Sequence, residues 1–173
     1  ETRRWVTPFE VFERTWQRAD FWALVILPAG EIPETATSLR YLKTAYAFEE
    51  TGHTNLALDA YRSASQRWPE VADTWMTLGN VVFHNKDWPN AITAFSTACR
   101  VQPKSIANWN NLAYALHAYG CDIQARTALQ CGLNISPTDK NLLDSWQEIT
   151  VNPEKTEPLK CPVVQCGSTA EPL

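Results

Sequence analysis

Five cysteines and three histidines are the side chains of this 173-residue chain best suited to nucleophilic or metal chemistry. A thiolate nucleophile needs a His base and a third group that orients the His. Cys99 could meet His84 or His117 only across different elements, and no third group is indicated. The segment that holds Cys161 and Cys166 lacks the second ligand pair of a metal site. The sequence therefore predicts no catalytic residue, no metal and no cofactor.

Disulfide formation is the other chemistry open to the cysteines. Cys161 and Cys166 are close enough in sequence to pair with each other, and two free thiols are an equal alternative. Cys99, Cys121 and Cys131 are interpreted as small packing residues on or beside helices. Cys121 and Cys131 lie about 15 Å apart along one predicted helix, which is too far for a direct bridge between them.

Composition excludes several classes of protein. The chain is 45% apolar and 20% charged, and its length is enough for one domain or one and a half, with a core of its own. No apolar run approaches the roughly 20 residues of a transmembrane helix. Fifteen Lys and Arg against 19 Asp and Glu argue against a nucleic-acid partner.

An internal repeat organises the middle of the chain and must position any functional side chain. Three copies with a period of 34 follow one another without insertion, at residues 38–71, 72–105 and 106–139. Large, small and Pro residues recur at fixed positions. They are Tyr41, Trp75 and Trp109 at position four; Ala45, Gly79 and Ala113 at eight; Ala57, Ala91 and Ala125 at twenty; Tyr61, Phe95 and Leu129 at twenty-four; Ala64, Ala98 and Gly132 at twenty-seven; Pro69, Pro103 and Pro137 at thirty-two. Large residues fill the space between two antiparallel helices, small residues let the helices approach, and Pro ends the second helix.

This pattern resembles the tetratricopeptide repeat (TPR), and the middle unit matches it best. The resemblance implies a mainly α, three-repeat helical solenoid. Residues 140–151 then read as a capping helix that begins after Asp139 and covers the last repeat. Residues 152–173 are rich in Pro, Lys and Glu, and we expect a disordered tail unless a partner holds it.

The resemblance also implies a concave groove, lined by the first helix of each unit at positions two, five, nine, twelve and thirteen. Such grooves bind an extended peptide or a helix. The candidate binding residues are Leu42, Tyr46, Glu49, Met76, Asn80, Phe83, His84, Asn110, Tyr114 and His117. The remaining groove positions hold Leu39, Glu50, Asp73, Ala107 and Ala118. TPR domains that clamp a terminal carboxylate use Lys and Arg where this chain has Leu42, Asn110 and Tyr114, so a carboxylate clamp is disfavoured.

The first 37 residues do not fit the repeat. Thr7, Pro8 and Glu10 form a helix-start pattern. Residues 21–27 are a continuous apolar run, which predicts a buried strand. A lone strand cannot satisfy its backbone groups, so we expect the end of an α/β domain whose other strands lie upstream.

The segments 4–6, 9–16 and 21–28 resemble the last helix and strand of bacterial papain-like peptidases of the bacteriocin-processing, double-glycine type, a subgroup that carries a C-terminal TPR array. The resemblance implies that the catalytic Cys and His lie in an upstream peptidase domain, since no Cys precedes Cys99. It also implies a bacterial protein, with an exported or periplasmic location favoured over the cytoplasm.

We therefore predict a protein-interaction module that binds a protein or peptide ligand in its groove and forms the non-catalytic C-terminal part of such a peptidase. The alternative is that the groove face packs within the protein as a scaffold for the peptidase domain, without a separate ligand.

Overall fold

The computed structural model describes residues 32, 34, 36–151 and 160–166. Within these residues the secondary structure is seven α-helices without a β-strand. They are α1 (Ser38–Glu50), α2 (Thr54–Arg67), α3 (Ala72–His84), α4 (Trp88–Val101), α5 (Ile106–Ala118), α6 (Asp122–Ile135) and α7 (Lys140–Val151). The predicted mainly α solenoid is confirmed for this part of the chain. The predicted N-terminal helix and the strand at residues 21–27 lie outside the described residues.

Local sequence signals set the helix boundaries. The side chains of Thr37, Asp87 and Ser105 accept hydrogen bonds from the backbone N–H three residues later, each at 3.4 Å, which satisfies a donor that the first turn leaves unpaired. Asp139 caps α7 in the same way, accepting from the Leu142 N–H at 3.0 Å. The residue before the first helix of each repeat therefore either caps the helix with its side chain or has an extended backbone.

The turn inside each repeat requires a left-handed backbone at one position. Gly52, Lys86 and Gly120 occupy the same place in the period, and their φ angles are 79°, 60° and 89°. Glycine adopts this conformation without steric cost, whereas a residue with a Cβ does not. The middle repeat therefore keeps the turn with a Lys under backbone strain.

The recurring aromatic and Pro residues are joined by a repeated hydrogen bond. The indole of Trp75 donates to the Pro69 carbonyl at 2.9 Å, and that of Trp109 donates to the Pro103 carbonyl at 2.8 Å. Each bond ties the first helix of one repeat to the end of the previous repeat. Tyr41 occupies the same position of the first repeat, at the start of the continuously described residues.

Small residues are needed where helices cross. A Cβ on Gly79 would lie 2.4 Å from the Phe95 ring, and one on Gly132 would lie 2.9 Å from Leu142. Because real carbon atoms do not approach so closely, glycine at these positions sets the helix separation. Ala57, Ala91 and Ala125 have no exposed surface and act in the same way.

The apolar core is divided into two clusters. One fills the first repeat around Tyr61, Leu42 and Ala64. The larger one runs through the second and third repeats to α7, where Leu142 and Ile149 complete it. The capping helix therefore buries the apolar face that the last repeat would otherwise expose.

The segment 160–166, called the strap below, is covalently attached to α6. Cys161 pairs with Cys121 at the start of α6, and Cys166 pairs with Cys131 further along it, with Cα–Cα distances of 5.7 and 5.2 Å. Ten helical residues rise about 15 Å, and five extended residues span about the same length. The strap therefore runs beside α6 in register with its two cysteines.

These pairs correct three sequence-based interpretations. Cys161 and Cys166 do not pair with each other, because a partner on α6 faces each of them. Cys121 and Cys131 are buried packing residues, as predicted, but they also form disulfides, with Cys161 and Cys166 respectively. Residues 160–166 are not a disordered tail, since Cys161 and Val164 pack against the larger core cluster. Cys99 is a buried packing residue, as predicted, and has no disulfide.

Candidate functional site

The groove positions divide into a floor and a rim. At position five, Leu42 is buried, and Met76 and Asn110 are half-buried; position twelve is half-buried in all three repeats. At position nine, Tyr46 and Asn80 are exposed and Tyr114 is half-buried. Position two is exposed in all three repeats, and position thirteen is exposed in the first two, so a ligand can reach the groove at positions two, nine and thirteen.

Leu42 is a correction to the predicted binding residues. It is only 9% exposed and belongs to the core cluster of the first repeat. Position five of the first repeat faces Tyr61 and Val81 of that cluster rather than solvent. Leu42 therefore supports the groove from beneath.

A cleft of about 210 Å³ lies between α3 and α5 and is called the amide cleft below. Its walls combine two amides, three aromatic rings and a histidine. They are Asn80, Phe83, His84, Phe95, Asn111 and Tyr114. Four of the predicted residues, Asn80, Phe83, His84 and Tyr114, are thus brought together in one concavity.

The two amides span the mouth of the amide cleft. Asn111 Nδ2 donates to Asn80 Oδ1 at 3.3 Å, a long bond that leaves the remaining donors and acceptors of both side chains for a ligand. Asn110 precedes Asn111 in α5 but does not line the cleft, and its Oδ1 is buried without a hydrogen-bond partner among the described residues.

Phe83 forms the apolar wall of the amide cleft and is itself held in place. Its ring lies 4.9 Å from that of Trp88 and 6.2 Å from that of His84. Aromatic packing of this kind fixes ring orientation. The cleft therefore places a fixed apolar ring beside its polar side chains.

The capping helix extends the groove beyond the third repeat. Continuing the 34-residue period places Asp144, Glu148 and Val151 of α7 at positions five, nine and twelve of a fourth unit. With Gln147 they line a second cleft of about 290 Å³, called the acidic cleft below. Residue periodicity alone could have identified these positions, but the predicted groove ended at α5.

Tyr114 connects the two clefts. Its hydroxyl donates to Glu148 Oε2 at 2.7 Å and accepts from the Ser145 hydroxyl at 3.2 Å. Burial raises the pKa of Tyr114, the Ser145 hydrogen bond opposes this, and the hydrogen bond to Glu148 with the Glu148 and Asp144 charges adds smaller increases. The phenol is therefore a fixed neutral donor at the junction.

The first repeat presents an exposed Tyr and two acids. Tyr46 is 55% exposed, and its hydrogen bond to Glu50, with the Glu50 charge, raises the pKa of the Tyr46 hydroxyl. Glu49 accepts from the buried Tyr61 hydroxyl at 3.1 Å. Burial first and this bond second raise the pKa of Tyr61. One carboxylate oxygen of Glu49 is therefore already occupied by a hydrogen bond from the core.

His117 is held by an acid outside the groove. Its Nδ1 lies 2.6 Å from Oδ1 of Asp122, and both side chains are largely buried. The pair joins the end of α5 to the start of α6, so the contact made by His117 is structural. His84, by contrast, is exposed at the rim of the amide cleft.

The cysteine chemistry considered from the sequence has no geometric basis. Cys99 is 2% exposed in the core, and burial raises the pKa of its thiol to about 12. A thiol in this state is not a nucleophile at neutral pH. Among the described residues, no three His, Cys, Asp or Glu side chains converge on a point where a metal ion could bind, and no helix there has the length and apolarity to cross a bilayer.

Comparison with known proteins identifies the fold. No protein-family model matches the sequence, and no curated protein matches it. Among solved structures, the chain is similar to the first TPR domain of Spaghetti (RPAP3) bound to the HSP90 peptide SRMEEVD. The TM-score is 0.60 at 14% identity, over 66% of this chain and 90% of that one.

Two further solved structures agree. The second TPR domain of human RPAP3 in complex with an HSP70 peptide gives a TM-score of 0.60 at 12% identity, over 65% of this chain and 94% of that one. The TPR2B domain of yeast Sti1 in complex with an Hsp70 peptide gives 0.59 at 15% identity, over 66% and 96%. The helical array is thus a solenoid of paired helices. Its fold is that of a TPR domain.

Proposed function

We propose that the chain is a protein-interaction module that binds an extended peptide segment of a partner in the groove formed by α1, α3, α5 and α7. The amide cleft carries this proposal. Asn80 and Asn111 can bond a peptide backbone whatever its side chains, and Phe83, Phe95 and Tyr114 supply contact area. Three of the solved TPR domains with the same fold are complexes with HSP90 or HSP70 peptides, which supports this use of the groove.

Selection from a displayed library of random peptides on the 173-residue chain tests this proposal. Selected peptides are labelled and titrated by fluorescence anisotropy against the wild type and against Asn80→Ala combined with Asn111→Ala. Losing two amide contacts should weaken binding at least tenfold.

A matched control is available on α6. Gln130 and Asn134 form an exposed amide pair at 3.0 Å, outside the groove positions. Gln130→Ala combined with Asn134→Ala should change affinity less than twofold. Equal losses from both pairs, or a library that yields no binder, would contradict the proposal.

We further propose that the chain is the non-catalytic C-terminal part of a papain-like cysteine peptidase. The helix and strand pattern of residues 1–37 supports this, and so does the inert, buried state of Cys99. Two disulfides favour an oxidising compartment, in keeping with an exported bacterial protein.

The coding sequence upstream of Glu1 tests this parentage. We expect a Cys and a His in a papain-like order, and the full protein should cleave a double-glycine leader peptide until that Cys is changed to Ala. If upstream sequence lacks these residues, the parentage is wrong while the interaction module is unaffected.

A further inference from the structure

The charge distribution of the groove indicates which peptides it accepts. Neither α3 nor α5 contains a Lys or Arg, and α5 contains no Asp or Glu. The acids at groove positions are Glu49, Glu50, Asp73, Asp144 and Glu148. Within the part of the chain that the structure describes, none of these five acids forms an ion pair, since the ion pairs there are Arg62–Asp59 and His117–Asp122. Lys140, at the start of α7, lies one helical turn before Asp144 but forms no ion pair with it. Arg40 and Lys43 lie beside groove positions of α1.

We infer that the ligand is a cationic extended segment, whose backbone lies on Asn80 and Asn111 and whose Lys or Arg side chain enters the acidic cleft on α7. This inference rests on the proposed peptide-binding function and specifies its ligand. The groove itself is the binding site, and the acids determine the charge of what it binds.

The geometry at the junction supports a cation there. Tyr114 holds Glu148 through Oε2, which leaves Oε1 without a partner among the described residues. Asp144 lies one helical turn before Glu148 on the same face and lines the same cleft. Two carboxylates on one open cleft can both accept from one ammonium or guanidinium group, and such charge-assisted bonds are stronger than neutral ones.

The peptides in the similar solved complexes have the opposite character. Their sequences as named, SRMEEVD and SGPTIEEVD, end in three acids among four residues. In this groove such an end would face acids at groove positions of α1, α3 and α7, without a compensating Lys or Arg on α3 or α5. Like charges that face each other across an interface disfavour binding.

Three fluorescein-labelled peptides test the inference. They share a background of alternating Leu and Ser and differ only in carrying Lys, Gln or Glu at the same four positions. We expect the Lys peptide to bind at least tenfold more tightly than the Gln peptide, and the Glu peptide to bind most weakly. The preference should shrink between 50 and 200 mM NaCl, because exposed charges are screened.

Two variants test whether the preference for the Lys peptide depends on the acids of α7. Glu148→Gln combined with Asp144→Asn keeps an acceptor for Tyr114 and should reduce the Lys preference at least fivefold. Glu70→Gln, an exposed acid in the turn between repeats one and two, should leave it unchanged.

The outcomes separate this inference from the proposed function. If the Gln peptide binds through Asn80 and Asn111 and the Lys peptide binds no better, the inference is overturned and peptide binding stands. If the preference survives removal of both acids, the inference is likewise overturned. If none of the three peptides binds, the inference fails, and the library selection decides on the function separately.

Discussion

The first and third repeats share one 34-residue pattern but are held in place very differently. In α1 only Leu42 and Ala45 are buried, and Leu39 and Tyr46 are 63% and 55% exposed. In α5 six residues are buried. The third repeat packs against α4 on one side and α7 on the other, and the strap fixes it through two disulfides.

The comparison shows that position in the array, and not the repeat pattern, sets local stability. In a solenoid each unit is stabilised by its neighbours, so a unit with a neighbour on one side lacks one interface. Within the described residues the first repeat packs against a repeat on one side only, through α3 of the second repeat. We therefore expect the α1 end of the groove to open more easily than the α7 end.

Removing the strap should have the largest effect on this difference. The disulfides close loops across sequence separations of 40 and 35 residues, and losing such a closure costs about 4 kcal/mol of unfolding free energy. Cys161→Ser combined with Cys166→Ser should lower the urea midpoint accordingly and speed hydrogen exchange in α6 and α7. Val163→Ala, which changes an 84% exposed strap residue, is the control and should cost under about 0.5 kcal/mol. Unchanged exchange in α6 would contradict the role of the strap.

Truncating one Leu in the first repeat and one in the third tests how differently the two repeats are packed. Leu112 of α5 is 2% exposed, and Leu112→Ala should cost about 3 kcal/mol because it leaves a cavity in the larger core cluster. Leu39→Ala, at 63% exposure in α1, should cost under about 0.5 kcal/mol. Equilibrium unfolding followed by circular dichroism measures both. Similar losses would mean that Leu39 is covered in the natural protein.

The Tyr61 hydroxyl should have the smallest effect, with a distinct pH signature. Tyr61→Phe removes the bond to Glu49 and should cost about 1 kcal/mol at neutral pH. Because burial raises the pKa of Tyr61 in the folded state, its neutral form contributes stability that is present below pH 10 and is lost as the pH rises further. The wild type should therefore lose its advantage over Tyr61→Phe above pH 10. A constant difference across that range would contradict this assignment.

Much of the fold follows from the sequence because its signals are local or periodic. Trp75 and Pro69 predict a helix pair and its end, and the structure adds the hydrogen bond between them. The same periodicity predicted two residues of the amide cleft, Asn80 and Tyr114, which stand at position nine of their repeats. Asn111 was missed because it stands at position six, which is not among the positions that the TPR resemblance assigns to the groove.

The cysteine pairing could not be predicted from sequence spacing. Cys161 and Cys166 are near each other along the chain, and nothing in their own segment indicates α6 as a partner. The pairing depends on the match between five extended residues and ten helical ones, which appears only when the strap lies beside the helix. The prediction that Leu42 faces the groove was made for a related reason, since its burial depends on the core cluster that it shares with Val81 of the next repeat.

The strap also determines how this chain carries a mechanical load. A pull on the residues that follow Cys166 passes through its disulfide to Cys131 and enters α6 directly. The 34 residues between those two cysteines, α7 among them, lie inside a closed covalent ring and bear no tension. The helix that carries Asp144 and Glu148 would keep its place while the chain on either side is stretched.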